Sequence, residues 1–281
     1  MKVVTVATHH NHHLERLLIS ARKQGIEVEL IGEGREYIDH YIKTDWLIEY
    51  LDTVDKDEII LYTDGYDSVL LQNESYIQET FKKLDHPMVF GAEQNFNCEA
   101  SFFKKIRFYL KFPKGKRPYR FLNAGGWIGR AGYAKELLRK VVGGDDQSLL
   151  LKYVSKHKTA IKHDTGQKIF AVMAGRTGME DHDYLIDENG KVQSTITGSR
   201  PAILHAPGKN YYGLYKIINK LKYFPKETFT EEEIQQYKKS QFWNSLTAKT
   251  TADNYLFHLL LKVLVGAISI ALIVGLLNYL I

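Results

Sequence analysis

Two carboxylates three residues apart, Asp64 and Asp67, stand in "IILYTDGYDSVLL" (59–71), where an apolar run gives out. Two readings compete. Asp beside Gly commonly makes an Asx turn, the side chain bonding to its own backbone. A tight glycine turn can equally bring both carboxylates to one side. There a hard divalent cation takes oxygen ligands and keeps positions for water or phosphate. The stretch alone leaves both open. A haloacid-type phosphatase is excluded, because that chemistry needs an aspartate two positions before Asp64, and Tyr62 stands there.

Three further segments carry polar groups of the right kind. "FLNAGGWIG" (121–129) sets small residues around Asn123, which permits close approach of backbone to a ligand. "GGDDQ" (143–147) places Asp145 and Asp146 at a helix start, where a single Asp would be ordinary capping. "ILHAPGK" (203–209) puts His205 at a strand end, followed by Gly208 and Lys209. A histidine ligand with a lysine near phosphates would complete a metal–diphosphate site. His9, His10, His12 and His13 also invite a metal reading. Four histidines in five residues cannot converge on one ion without unusual backbone, so they read as a solvated loop or helix start. No GxGxxG and no Walker lysine pattern occurs, and a dinucleotide cofactor has no support.

These residues must be positioned by alternating strands and helices. Lys2 to Ala7 reads as a buried strand, His13 to Gly25 as a helix with apolar residues at helical spacing, and "IEVELIG" as a second strand. Lys43 to Leu51 reads as a helix, Glu58 to Tyr62 as a third strand, "ESYIQETFKKL" as a helix and "PMVFGAE" as a fourth strand. A glycine-rich strand or loop in 120–130 leads into a helix, "DDQSLLLKYV" is helical, "TAIKHDTGQKIF" is irregular to strand, and "PAILHAPGK" is a late strand. Thr230 and Glu233 form a capping box for a helix to about Trp243, with a polar linker to Asn254. The pattern predicts an α/β fold with a Rossmann-like sheet flanked by helices.

The 281 residues, 44% hydrophobic and 25% charged, are ample for one large α/β domain. The net charge of +5 comes without a basic stripe interleaved with aromatics, so nucleic acid is not an expected partner. It suits phosphate-bearing small molecules. Cys98 is the single cysteine, so no intrachain disulfide can form. The start, "MKVVTVATHH", is too short and strand-like for a signal peptide. From Val263 to Ile281 no residue is charged, and about 20 apolar residues suffice to span a bilayer. This predicts a single-pass C-terminal membrane anchor. With Lys238, Lys239, Lys249 and Lys262 on its N-terminal side, the folded domain is expected to face the cytosol.

The ordered set "TVAT" (5–8), "IGEG" (31–34), "KTDWL" (43–47), "YTDGYDSVL" (62–70), "VFGAE" (89–93), "RFLNAGGWIG" (120–129), "DDQ" (145–147), "HDTGQKIF" (163–170) and "ILHAPGK" (203–209) resembles the glycosyltransferase domain of procollagen lysyl hydroxylases and the related collagen galactosyl- and glucosyltransferases. The resemblance covers about residues 1–215 and implies a GT-A fold. It divides the chain into a glycosyltransferase domain (1–225), a C-terminal helix and linker (226–254) and the anchor (255–281). It implies Asp64, Asp67 and His205 as ligands of Mn²⁺, the ion serving a UDP-hexose donor, with UDP-glucose the best guess and UDP-galactose the alternative. Thr8, Lys43, Asp64, Gly65, Glu93, Gly208 and Lys209 fall on the donor side, and Glu93 with Trp127 toward sugar or acceptor. Asn123, Asp145 and Asp146 match the region holding sugar and acceptor and are the candidate catalytic residues. An inverting transfer to hydroxylysine would use Asp146 or Asp145 as base; a retaining transfer to galactosyl-hydroxylysine would need none. Collagen-like chains or glycans are the implied acceptors, and the chain is expected to pair with a second copy. Two departures stand out: the family's longer aspartate run is only Asp145-Asp146, and its His-Gly-Asn-Gly is His-Ala-Pro-Gly here. A rival of another class is an inactive, membrane-bound UDP-sugar or glycan binder.

Overall fold

Period-two alternation in the third strand shows how the layers are built. In β3 (Ile59–Thr63), Ile60 and Tyr62 pack on one face of the sheet and Leu61 on the other. Leu61 joins Val3, Val89 and Ile128 under α1 (His12–Lys23) and α3 (Glu74–Leu84), whose Leu14, Leu17, Ala21, Ile77, Phe81 and Leu84 form that side's apolar stripe. Ile60 and Tyr62 join Val4, Val6 and Phe90 under α2 (Ile42–Leu51), α5 (Ala131–Leu138) and α6 (Asp146–Val154). Each buried Leu, Ile or Phe contributes roughly 1.5–3 kcal/mol. A third cluster packs α7 (Tyr211–Ile218) near Val69, Leu204 and the hairpin β9 (Tyr184–Ile186)–β10 (Val192–Ser194). The computed structural model describes the chain except residues 40, 95, 97, 99, 113–118, 174–182, 208–210, 227, 229, 233, 236–253 and 281.

The sheet is mixed. Its order is β2 (Val28–Ile31), β1 (Lys2–Val6), β3, β6 (Phe121–Arg130), β5 (Met88–Glu93), β8 (Phe170–Val172), β11 (Ile203–His205), β4 (Ser68–Leu70), with β7 (Lys162–Asp164) beside β5. β1 runs parallel to β2 and β3, β6 lies antiparallel between β3 and β5, and β4 closes the far edge antiparallel to β11. The glycine-rich segment is therefore a central strand, buried at every position but its last. The basic, aromatic segment before it contains α4 (Phe102–Lys111), which periodicity did not mark out.

Side-chain caps fix three helix starts. Asn11 accepts from His13 N and Leu14 N, Asn73 from Tyr76 N, and Asp145 from Ser148 N at 2.8 Å. Of the predicted C-terminal helix, 231–232 and 234–235 are helical and Ile234 N donates to Thr230 O, whereas Glu233 of the capping box and 236–253 lie outside the described residues.

The C-terminal segment forms α8 (Asn254–Leu280). The expected transmembrane helix is nevertheless corrected: among the described residues, no helix is long and apolar enough to cross a membrane. The single-pass membrane localisation, the membrane as partner and the cytosolic orientation rested on that helix and are set aside with it.

Candidate metal and donor site

Strand order brings the three candidate ligands together. β3 ends at Thr63, the chain turns through 64–67, and it re-enters the sheet as β4, four strands away from β6 on the far side of β11. Ser68 pairs with His205 in the β4–β11 register, which sets Asp67 beside the imidazole, and Ala206 N donates to Asp67 O. On the other side Asp64 N donates to Gly125 O at 2.8 Å, tying the turn to β6. Thr5 Oγ1 donates to Thr63 O and Thr63 Oγ1 to Ser68 Oγ, which hold the base of the turn.

One carboxylate oxygen from each of Asp64 and Asp67 and one nitrogen of His205 lie within 4.8 Å of one another. His205 Nε2 is 3.3 Å from Asp67 Oδ1 and 3.6 Å from Asp64 Oδ2. His205 is 1% exposed, and Asp67 Oδ1 and both its ring nitrogens have no hydrogen-bond partner among the described residues. Buried polar atoms are normally paired, and these unpaired ones are free to coordinate a cation. Backbone clearance agrees. A Cβ on Gly125 would stand 2.2 Å from His205 Cε1 and 2.5 Å from Asp64 Oδ2, so only glycine leaves the space open. Two carboxylates and an imidazole are a donor set that fits a divalent cation such as Mn²⁺ or Mg²⁺.

Gly65 serves differently from its expected role in the turn. It is not in the positive-φ region, but a Cβ there would meet Thr5 Oγ1 at 2.7 Å. Close packing on β1 is what demands glycine.

Beside the triad lies a cavity of about 300 Å³ lined by Val6, Thr8, His9, Tyr37, Lys43, Asp64, Gly65, Tyr66 and Asp67. Of the expected donor residues it gathers Thr8, Lys43, Asp64 and Gly65. Tyr37 and Tyr66 line the cavity without having been candidate site residues, and His9, expected in a solvated loop or helix start, is part of its wall. His9 stacks on Tyr66, with ring centroids 5.3 Å apart, and Thr8 N donates to the Tyr66 hydroxyl. A tyrosine between the two aspartates was the available signal.

Lys43 organises the charges. Its Nζ lies 3.3 Å from Asp64 Oδ1 and 2.8 Å from Asp146 Oδ2. Burial would raise the Asp64 pKa, but the Lys43 ammonium and His205 outweigh it and pull it down to about 2. Burial would lower the Lys43 pKa, yet Asp64, Tyr62 and Asp146 hold it well above the lysine range. Burial likewise opposes charge on His205, and Asp67 and Asp64 more than compensate, raising its pKa. Burial and the neighbouring Asp64 push the Tyr62 hydroxyl well up.

The candidate catalytic residues part company. Asp146 reaches the site through Lys43, whereas Asp145 caps α6. Asn123 and Glu93 lie in a buried network. Gln147 donates to Glu93 Oε1 and Leu122 O and accepts from Ala124 N, while Asn123 Oδ1 accepts from Gly125 N. Asn123 Nδ2 donates weakly to Glu93 Oε2 at 3.5 Å. This network holds the Gly125 strand in place. Trp127 is buried against Tyr62 and Phe90. Gly208 and Lys209 lie outside the described residues.

Residues 1–234 match the family model described as PLOD GT domain. The chain is similar to mouse procollagen-lysine,2-oxoglutarate 5-dioxygenase 2, 28% identical over an alignment of 237 positions that covers 76% of this chain and 31% of that protein. It is similar also to the multifunctional procollagen lysine hydroxylase and glycosyltransferase of Caenorhabditis elegans, 28% identical over an alignment of 244 positions that covers 76% of this chain and 32% of that one. The chain thus spans about a third of the length of these relatives. Among solved structures, the galactosyltransferase LgtC in complex with donor and acceptor sugar analogues aligns with TM-score 0.40 and 14% identity, over 84% of this chain and 100% of that one. Mouse xyloside xylosyltransferase 1 aligns with TM-score 0.45 and 12% identity, over 74% and 98%. With a family match over most of its length, a mixed sheet flanked by helices and an Asp-Asp-His cluster, this chain belongs to the PLOD glycosyltransferase-domain family, GT-A-like in fold.

Proposed function

We propose that this chain transfers a hexose from a UDP-sugar, with UDP-glucose the preferred donor, to hydroxylysine or galactosyl-hydroxylysine of a collagen-like chain. The observation that carries the reading is the convergence of Asp64, Asp67 and His205, with orphaned buried atoms, where the two aspartates line the 300 Å³ cavity. These three side chains would hold Mn²⁺. Bound there, the ion would supply Lewis-acid neutralisation of the leaving diphosphate.

The chain's own groups suit the rest of the donor. Lys43, a buried ammonium at the cavity, can answer phosphate charge. The rings of Tyr37 and Tyr66 on the cavity wall offer flat apolar faces to a nucleobase. Asp146, held beside this site by Lys43, is the candidate base if the transfer inverts. A relative that is a procollagen lysine hydroxylase and glycosyltransferase supports a collagen-like acceptor.

The test is UDP release from UDP-glucose and UDP-galactose, with and without Mn²⁺, using a galactosyl-hydroxylysine peptide. Faster release with metal and peptide, abolished in Asp64→Ala, is expected. Equal low rates for wild type and Asp64→Ala with every donor would refute the reading.

A further inference from the structure

The two oxygens of Asp64 have different surroundings. Oδ2 lies toward His205 and is the atom a Cβ on Gly125 would strike, so it faces the cation position. Oδ1 points the other way. It accepts hydrogen bonds from the Tyr62 hydroxyl and from Lys43 Nζ.

Tyr62 is well built to hold that oxygen still. It is 1% exposed, and its ring stacks on Trp127 at a centroid distance of 5.6 Å. It is not among the side chains lining the cavity, so it does not meet the donor directly. It sits two residues before Asp64, on the face of β3 that carries Ile60, with Lys43 Nζ 5.9 Å from its ring centroid. A carboxylate can otherwise rotate about its last side-chain bond. An outer donor on one oxygen fixes which lone pairs face the metal.

We propose that Tyr62 is a positioning residue of the cation site: its hydroxyl ties down Asp64 Oδ1 so that Oδ2, with Asp67 and His205, is presented to the ion. The inference rests on the divalent-cation reading above and adds to it a residue that touches neither ion nor donor. Without the hydroxyl, Lys43 is the only donor left on Oδ1 among the described residues. The carboxylate then turns toward the ammonium that also binds Asp146, and Oδ2 leaves the position shared with His205 and Asp67.

The test is calorimetric titration of Mn²⁺ alone into the full chain, as wild type, Tyr62→Phe and Phe90→Leu. Tyr62→Phe keeps the ring stack and removes one oxygen. Phe90→Leu loosens the core behind Trp127 and leaves the hydroxyl in place. The expected result is about tenfold or greater loss of Mn²⁺ affinity in Tyr62→Phe, the range for losing an outer-shell partner, with Phe90→Leu close to wild type. Wild-type affinity in Tyr62→Phe overturns the proposal, as does an equal loss in both variants, which would mean general loosening. If wild type itself binds no Mn²⁺, the cation reading fails, and this inference fails with it. Binding by wild type with an unaffected Tyr62→Phe removes only the role of Tyr62.

Discussion

The backbone of Gly125 passes so close to His205 that a Cβ there would stand 2.2 Å from the imidazole Cε1. The same Cβ would meet Asp64 Oδ2 at 2.5 Å, so one methyl group would occupy the place where two candidate ligands converge. Gly125→Ala is therefore expected to abolish Mn²⁺ binding and to lower UDP release at least about 100-fold. Overpacking of this kind also costs about 1–3 kcal/mol of stability. Metal titration and urea unfolding on one preparation separate the two effects.

Asp145 and Asp146 are adjacent but differently engaged, which predicts opposite phenotypes. Asp145→Ala removes the α6 cap and is expected to cost about 1 kcal/mol of stability, with donor-dependent activity retained. Asp146→Asn leaves the cap and strips Lys43 of its 2.8 Å partner. It is expected to lower transfer by about 10- to 100-fold with little change in melting temperature. Chemical denaturation and initial-rate assays of the pair decide this.

The charges of the triad set a pH dependence. The pKa of His205 is raised in the fold, so in the metal-free protein its stabilisation is fully present below its unfolded value, about 6.5, and is lost as pH rises through the folded one. Asp64, depressed to about 2, contributes stability above its unfolded value near 3.8 and loses it as pH falls toward 2. Cation binding needs the neutral imidazole, so Mn²⁺ affinity is expected to rise with pH through the His205 titration. Calorimetry in buffers of different ionisation enthalpy should register proton release that fades at high pH.

Asp164 is a structural carboxylate outside the triad. It is 1% exposed and accepts from the backbone N–H groups of Lys168, Ile169 and Phe170 at 2.9, 2.6 and 2.9 Å. Burial pushes its pKa up against those bonds. Asp164→Ala would orphan three donors at the entry to β8, and a loss of at least about 3 kcal/mol in urea unfolding is expected.

Much of this was legible from residue order alone. Apolar periodicity located β1, α1, β3, α3 and β5 within a residue or two, because burial on one face imposes its spacing on any chain that folds this way. Asp64, Asp67 and His205 could be grouped through the ordered motifs that resemble the family, since the side-chain types alone left an Asx turn and a metal site both open. The short strand β4, the hairpin β9–β10 and α4 were not legible, since their stability comes from partners remote in sequence. Nor did the apolar tail yield the predicted span: among the described residues no helix is long and apolar enough to cross a membrane.

Residue type and spacing thus determined which groups could bind a cation, and the three-dimensional fold decided how each is used. Pairing Ser68 with His205 across β4 and β11 places Asp67 at the imidazole, and no local pattern encodes that long-range register. Helix capping takes Asp145 away from the site and leaves Asp146 on Lys43. Tyr62, which the sequence marks only as a strand end, gains its role because β3 buries its ring on Trp127 and aims its hydroxyl at Asp64. Hydrogen bonds and close approaches of this kind depend on ångström distances between remote segments, which exist only once the sheet has assembled.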